Sequence, residues 1–388
     1  MKHKILYIHH SVSKSGAARS LSFLIEDLDK NIYDPIVLCR KDNDNIDLFQ
    51  RAGAKVIMDK RFGPLHGSTV SGMNFIIFCS NILKAIPTYF IVKKYINNIK
   101  PDIVHLNSTC MCVAGKASKK VDSNIPVLVH VREPLLENIF GSILKKITYR
   151  YVDGYIAIDK NDMESVIMLP EKPHEIIYNF VDFKKYNNYI KSEIIRNELS
   201  IPQEDTIFIC LGRIVKPNGV IEMIDEFTKV YPKYLNYHLV IVGDELENSS
   251  KYIKLVRERC NKHKSNIHLL PFRKDVPELL ASSDILICPF IEPHFSRAVI
   301  EAAAMGIPTI ASNVGGVNEL VLDGKTGLFF DYNDFTQLPE LIKKLGSNKD
   351  LIKLLGKNAA KFARKNFDSK INAKRTVKFY ERFLKIDK

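Results

Sequence analysis

A carboxylate inside an apolar run needs a partner, and Glu301 is one: it stands in the helical stretch Val299 to Met305, just past the end of an apolar strand. Two ribose hydroxyls would satisfy it. Arg213 and Lys216 leave the end of another strand, in Leu211-Gly212-Arg213-Ile214-Val215-Lys216-Pro217-Asn218-Gly219-Val220. A planar guanidinium and a mobile ammonium placed there can face a pyrophosphate and neutralise departing charge, although the same residues would also serve as a solvated basic turn. Gly16, in the stretch Ser15 to Leu21, follows the first strand and opens an amphipathic helix carrying Leu21, Leu24, Ile25 and Leu28. Lacking a side chain, it lets backbone N–H groups approach a phosphate at the positive helix end. The three-glycine dinucleotide fingerprint is absent, which disfavours a nicotinamide enzyme.

Other residues have chemistry but simpler readings. Asp42, Asn43 and Asp44 form the Asp-x-Asp pattern of a metal site, yet they lie in a polar turn and read as a solvated loop. Cys110 and Cys112 are two apart without a Cys/His set of zinc-ligand spacing, so no metal is expected. The remaining cysteines sit mostly in apolar runs (Cys39, Cys79, Cys210, Cys288), as free thiols in a reducing compartment do. His9 and His10 end the first strand near the Gly16 loop and would either touch substrate or serve structure. Arg132 and Glu133 would pair with each other or orient an acceptor.

These groups need a scaffold, and the chain supplies one. Short apolar runs bounded by Gly, Pro, Asn or Asp alternate with helix-length amphipathic stretches, the pattern of parallel α/β sheets. The first series of strands is read at Lys4 to Ile8, Pro35 to Cys39, Lys55 to Met58, Asp102 to Leu106, Pro126 to Val131, Gly154 to Ile158 and Glu175 to Tyr178. A second follows at Thr206 to Leu211, His238 to Val242, Asn266 to Leu270, Asp284 to Cys288 and Pro308 to Ala311, with Gly315, Gly316, Gly324 and Gly327 shaping loops on the rim. The reading is an α/β chain of two facing Rossmann-like domains, 1–182 and 183–365, with a cleft between them where strand ends share a ligand. Residues 366–388 form a helical tail, anchored by Phe367, Val377, Tyr380 and Phe383, that packs back on the first domain.

Composition limits the partners. The 388 residues carry a net charge of +13 with 46% hydrophobic content, an ordinary globular balance that favours anionic partners. Basic residues are not interleaved with aromatics in a track, so nucleic acid is not expected. The run Phe75 to Val92 is apolar but holds Ser80, Asn81, Lys84 and Pro87, costly at a bilayer centre. It reads as a pair of buried or half-buried helices in preference to a surface docked on a membrane. Met1 to His9 has no long apolar core, so no signal peptide is expected and the location is cytoplasmic.

Taken together, the motifs identify a resemblance. The Ser-Gly-Ala-Ala-Arg-Ser-Leu loop, PDIVHLNS at Pro101 to Ser108, HVREP at His130 to Pro134, NFVD at Asn179 to Asp182, LGRI at Leu211 to Ile214, VGD at Val242 to Asp244 and the segment Cys288 to Phe330 resemble the retaining glycosyltransferases of family 4. That family has the GT-B fold. The resemblance implies that Gly16 offers its backbone to the donor's distal phosphate, Arg213 binds the pyrophosphate, Glu301 the ribose and His130 a hydroxyl of the transferred sugar. It also implies that the leaving phosphate deprotonates the acceptor on the same face, with no cofactor and no divalent metal.

Two positions depart from the family pattern. Asn218 stands where a lysine is usual, leaving Lys216 to reach in, and Glu292 lies one residue before the usual carboxylate position, here Pro293, with His294 following. Glu292 is placed near the sugar. The expected function is transfer of a hexose or its derivative from a UDP- or GDP-sugar to a surface glycan or lipid-linked acceptor, with peripheral contact to an anionic membrane. A catalytically silent partner of an active glycosyltransferase and a nucleotide-sugar epimerase are the alternatives.

Overall fold

The computed structural model describes residues 2–12, 15–66, 75–231, 233–244 and 251–384. They divide into two compact units, Met1–Phe180 with Ser369–Lys388, and Val181–Asp368. The chain therefore passes between units at Phe180/Val181 and Asp368/Ser369, against 182/183 and 365/366 read from the sequence.

The first unit runs β1 (His3–Ile8), α1 (Gly16–Glu26), β2 (Tyr33–Cys39), α2 (Ile46–Arg51), β3 (Lys55–Met58), α3 (Phe75–Ile99), β4 (Ile103–Leu106), α4 (Cys112–Val121), β5 (Val127–Val131), α5 (Ile139–Tyr151), β6 (Gly154–Ala157), α6 (Lys160–Val166) and β7 (His174–Ile176). Its sheet is parallel, in the order β3-β2-β1-β4-β5-β6-β7. Successive residues of a strand face opposite sides, and here both sides are covered, so the strands read as continuous apolar runs. Leu6 and Ile8 of β1 enter the core that also holds Val92 and Ile96 of α3 and Ala114 of α4. Ile5 and Tyr7 enter the opposite core, with Leu21 and Ile25 of α1.

The second unit runs α7 (Ile194–Leu199), β8 (Thr206–Leu211), α8 (Val220–Phe227), β9 (Tyr237–Val242), α9 (Lys251–Lys262), β10 (Ile267–Leu270), α10 (Val276–Ala281), β11 (Ile285–Cys288), α11 (Arg297–Ala304), β12 (Thr309–Ser312), β13 (Gly327–Phe330), α12 (Leu338–Gly346) and α13 (Lys349–Asn366). Its parallel order is β10-β9-β8-β11-β12-β13. The terminal helix α14 (Ser369–Glu381) returns to the first unit, where Ala373, Phe379 and Tyr380 join the core of Ile5 and Tyr7. Arg375 fixes it there through Glu175 at 2.7 Å and the carbonyl of Ile176 at 2.8 Å.

Two expectations are corrected. Strand β13 begins at Gly327, which had been read only as a loop glycine; a four-residue strand after a glycine-rich turn carries too little pattern to be seen. Phe75 to Val92 is not a pair of buried helices but part of one 25-residue helix, with Pro87 inside it. Phe78 and Ala85 before the proline, and Ile91, Val92 and Ile96 after it, pack into one core and hold the halves together. Its other side is exposed, with Phe75, Ile76, Leu83 and Phe90 on the surface.

In both sheets the strand order reverses once, between β1 and β4 and between β8 and β11. Loops leaving the carboxyl ends of those neighbours diverge and leave a crevice, the usual place for a ligand in an open α/β sheet.

Candidate functional site

In the first unit the reversal point gathers a polar cluster. His9 follows β1, Asn107 follows β4, and His130 and Arg132 lie at the end of β5. Arg132 knits them together: its guanidinium donates to the Asn107 side-chain oxygen at 2.8 Å and to Asn179 at 3.2 Å, and lies 3.3 Å from His130 Nδ1. Asn179 also accepts from Ser20 of α1 at 2.8 Å, and Asn107 Nδ2 reaches His9 Nδ1 at 2.9 Å. Behind His130 lies the His105 ring, centroids 5.6 Å apart, with His105 Nδ1 2.6 Å from the hydroxyl of Tyr380.

This cluster keeps its imidazoles neutral. Burial, then the Arg132 and His105 charges, holds His130 well below the usual histidine range, and burial with the His10 and Arg132 charges does the same for His9. His105 is lowered to about 3 by burial and Arg132, and His10 to about 3 by burial, His66 and Arg132. His130 Nε2 is buried and has no hydrogen-bond partner among the described residues. A neutral ring nitrogen of this kind can exchange a hydrogen bond with a hydroxyl but does not supply positive charge. Gly16 is the exposed first residue of α1, whose cap is Ser15 accepting from the Ala18 N–H at 3.2 Å.

The second unit places its cations at its own reversal point. Arg213 and Lys216 are both exposed on the loop after β8. Gly243, in the loop after β9, passes so close that an added Cβ would lie 1.8 Å from the Gly212 carbonyl oxygen. Asn218 does not reach outward as a phosphate ligand: its Nδ2 donates to the Arg213 carbonyl at 2.7 Å and closes the loop on itself. Gly219 then turns the chain into α8 with φ +62°, against the Pro289 carbonyl of the loop after β11.

The Glu292 loop is tied at both ends. Ile291 N–H donates to the Pro217 carbonyl at 2.9 Å and His294 N–H to the Gly315 carbonyl at 2.9 Å, so Glu292, exposed between them, sits on the loop hydrogen-bonded to the Lys216 turn. The His294 ring meets Phe290 edge-on, centroids 4.9 Å apart; burial and then the Arg213 charge lower it to about 4. Glu301, 6% exposed in α11, has a protein partner, the Arg297 guanidinium one turn earlier at 3.8 Å. A pocket of about 10 Å³, lined by Gly212, Arg213, Asn218, Pro289 and Phe290 among others, opens beside these loops.

Residues 14–185 match the profile "Glycosyltransferase Family 4" and residues 191–362 match "Glycosyl transferases group 1". The chain belongs to the family 4 glycosyltransferases. It is 28% identical to the Staphylococcus aureus capsular polysaccharide biosynthesis glycosyltransferase CapM over 53% of this chain and 54% of that one. It is 25% identical to the Escherichia coli UDP-Gal:alpha-D-GlcNAc-diphosphoundecaprenol alpha-1,3-galactosyltransferase, covering 72% and 76%. The match thus spans about half the length of the first of these relatives and three quarters of the second. Among solved structures, Anabaena HepE in complex with UDP superimposes with a TM-score of 0.81 at 19% identity, covering 98% of this chain and 100% of that one. A Rickettsia africae glycosyltransferase superimposes at 0.80 and 19%, covering 99% of each chain. These likenesses establish the GT-B fold.

For a family 4 glycosyltransferase, the residues that sequence reasoning missed are the ones that hold others in place. Arg132 was read only as a partner of Glu133 or a group orienting an acceptor, and His105, Asn107 and Asn179 were noted only within motifs; their partners lie 25 to 275 positions away. Arg297 was missed although its i, i+4 spacing to Glu301 was visible. Asp42 gives both its carboxylate oxygens to Arg40 at 2.9 Å, and Asn43 donates to the Ser11 carbonyl at 2.7 Å, so that turn is structural. All seven cysteines are free; burial raises the Cys110 thiol well above its usual range and Cys112 to about 12.

Proposed function

We propose that this chain transfers a hexose or hexose derivative from a UDP-sugar to a glycan or lipid-linked acceptor, with retention and without a metal ion. The observation that carries the reading is the second unit's reversal point. Two exposed cations, Arg213 and Lys216, stand on a loop hydrogen-bonded to the one bearing Glu292, and a buried carboxylate, Glu301, lies on the helix that follows. Arg213 and Lys216 take the pyrophosphate, Glu301 the ribose hydroxyls and Gly16 the distal phosphate through its backbone N–H. His130 takes a hydroxyl of the sugar, with Glu292 near it.

UDP is favoured over GDP because the solved HepE complexes hold UDP and UDP-glucose. The Escherichia coli relative, named for a diphosphoundecaprenol acceptor, supports a lipid-linked acceptor and hence work at the cytoplasmic face of a membrane. Retention follows when the leaving phosphate takes the acceptor proton on the face from which it departs, so that the new bond forms on that same face without a protein nucleophile. The test is incubation with UDP- and GDP-hexoses and a lipid-linked acceptor, with and without EDTA, followed by NMR of the anomeric linkage. A product of inverted configuration, or activity abolished by EDTA and restored by a divalent ion, would refute the mechanism. Tight UDP binding without transfer across donors and acceptors would point instead to the silent partner.

A further inference from the structure

Helices α3, α4 and α5 lie side by side over one face of the first unit's sheet. Together they carry nine Lys and Arg residues and no Asp or Glu. One, Lys119, is spent on Asp153 at 2.7 Å. Lys84 and Lys94 on α3, Lys116 and Lys120 on α4, and Lys146 and Arg150 on α5 are exposed. Along the same side of α3 runs an apolar stripe at helical spacing, with Ile76 79%, Leu83 67%, Ile86 48% and Phe90 64% exposed. A groove of about 610 Å³ beside it is lined by Phe78, Ile82, Ile86, Phe90 and Ile143, with Lys116, Lys146 and Arg150 on its walls.

Charge selects among occupants of such a face. A second copy would set these six exposed cations against six, with no acid on the three helices to pair them, so self-association through these helices is opposed. A spanning role is opposed by the helix's other side: Phe78, Ala85, Ile91, Val92 and Ile96 belong to the protein core. The Thr88 hydroxyl also binds both the N–H and the carbonyl of Gly63, at 2.8 and 2.7 Å. Nucleic acid would match the charge but not an exposed stripe of aliphatic side chains. An apolar stripe flanked by unopposed cations matches a bilayer interface that carries negative headgroups.

We propose that the face formed by α3, α4 and α5 docks the protein, without crossing, on an anionic lipid bilayer, the α3 stripe entering among the acyl chains and one chain filling the groove. This deepens the lipid-linked-acceptor reading, on which it rests for the acceptor's location, but the surface can be tested with no sugar present.

The experiment is sedimentation of the full chain with vesicles of phosphatidylcholine alone or mixed with phosphatidylglycerol, at low and high salt. Binding is expected to the mixed vesicles, weakening with salt and with charge reversal at Lys116, Lys146 and Arg150, on the order of fivefold per cation removed. Leu83→Asp with Phe90→Asp should weaken it tenfold or more at any salt. Both sets lie on the surface, and circular dichroism with a melting transition like the parent's checks that each variant is folded. Hydrogen exchange on the unmodified protein gives an independent reading, with new protection on vesicles confined to α3, α4 and α5. Equal binding to neutral and anionic vesicles, protection elsewhere, variants that sediment like the parent, or a dimer broken by Leu83→Asp would each overturn the proposal. Vesicle binding without sugar transfer would instead leave the surface standing and remove the transferase reading.

Discussion

Gly219→Ala tests how the second unit holds its cations. At φ +62° an alanine costs about 1–2 kcal/mol of backbone strain. Its Cβ would also lie 1.9 Å from the Pro289 carbonyl oxygen, far inside the 3.0 Å that real contacts keep, and the obstacle is backbone. Relief requires the loop after β11 to move away from the Lys216 turn, which breaks the Ile291 to Pro217 hydrogen bond at a further cost of about 1 kcal/mol. The total is roughly 2–3 kcal/mol, or about 4–12 °C in the melting temperature of a unit this size. Gly324→Ala is the control, because φ there is +66° but nothing lies within 4 Å of an added Cβ. It should lose only the strain, about 2–8 °C. Calorimetric scans with UDP titrations would show the Gly219 variant melting lower and binding UDP on the order of tenfold more weakly, while the Gly324 variant binds normally. Equal destabilisation of the two, or full UDP affinity in the Gly219 variant, would show that loop contact does not position the site.

Glu301→Gln should remove most of the preference for UDP over its 2′-deoxy analogue, about tenfold by competition binding, because the carboxylate that accepts the ribose hydroxyls is gone while the side chain's shape remains. Stability of the first unit should fall as pH drops below about 6.5. His10 and His105 hold folded values of about 3, below the ordinary 6.5, so between those limits the unfolded chain binds protons that the folded chain refuses. Stability is complete above the unfolded value and declines by up to about 1.4 kcal/mol per pH unit for each such histidine. Melting temperatures that stay level as pH is lowered from neutrality through this window would mean that the cluster is not held neutral.

The α/β alternation was readable because strands covered on both faces are apolar throughout, as Ile5 to Ile8 shows, and two such series separated near Asp182. Gly16, Arg213, Lys216 and Glu301 were visible for a related reason: each is an exception within its own run, a glycine at a helix start, cations at a strand end, a carboxylate among alanines. What stayed hidden is what acts across the sequence. Asn218 looked like a missing phosphate ligand until its bond to the Arg213 carbonyl gave it a different job. Arg132 read as a partner of Glu133 or an acceptor-orienting group, whereas Asn107, after β4, and Asn179, in the segment after β7, are brought to it by the fold. The α3 helix shows the opposite difficulty. Its apolar residues are spread around the axis, with buried Asn81 and Thr88 on the core side and Ile76, Leu83 and Phe90 exposed, so the sequence carried no clear sign of which side meets the core.

The two reversal points differ in charge, and that difference separates their chemistry. In the first unit the one guanidinium at the cluster, Arg132, is hydrogen-bonded to Asn107 and Asn179 and helps to hold His130 neutral. A neutral Nε2 suits a sugar hydroxyl and adds little to an anion. In the second unit Arg213 and Lys216 are exposed on their loop, suited to a pyrophosphate. The consequence is a split in the kinetics. Arg213→Ala should weaken UDP about ten- to a hundredfold, the worth of charge-assisted hydrogen bonds, while His130→Ala leaves UDP affinity close to the parent's. With the full donor, His130→Ala should instead lower kcat/KM about three- to tenfold or more, because what it removes is a contact to the sugar that strengthens only if the hydroxyl's environment changes as the glycosidic bond breaks. If His130→Ala and Arg213→Ala weaken UDP equally, the neutral cluster is part of the nucleotide site and this division of roles is wrong.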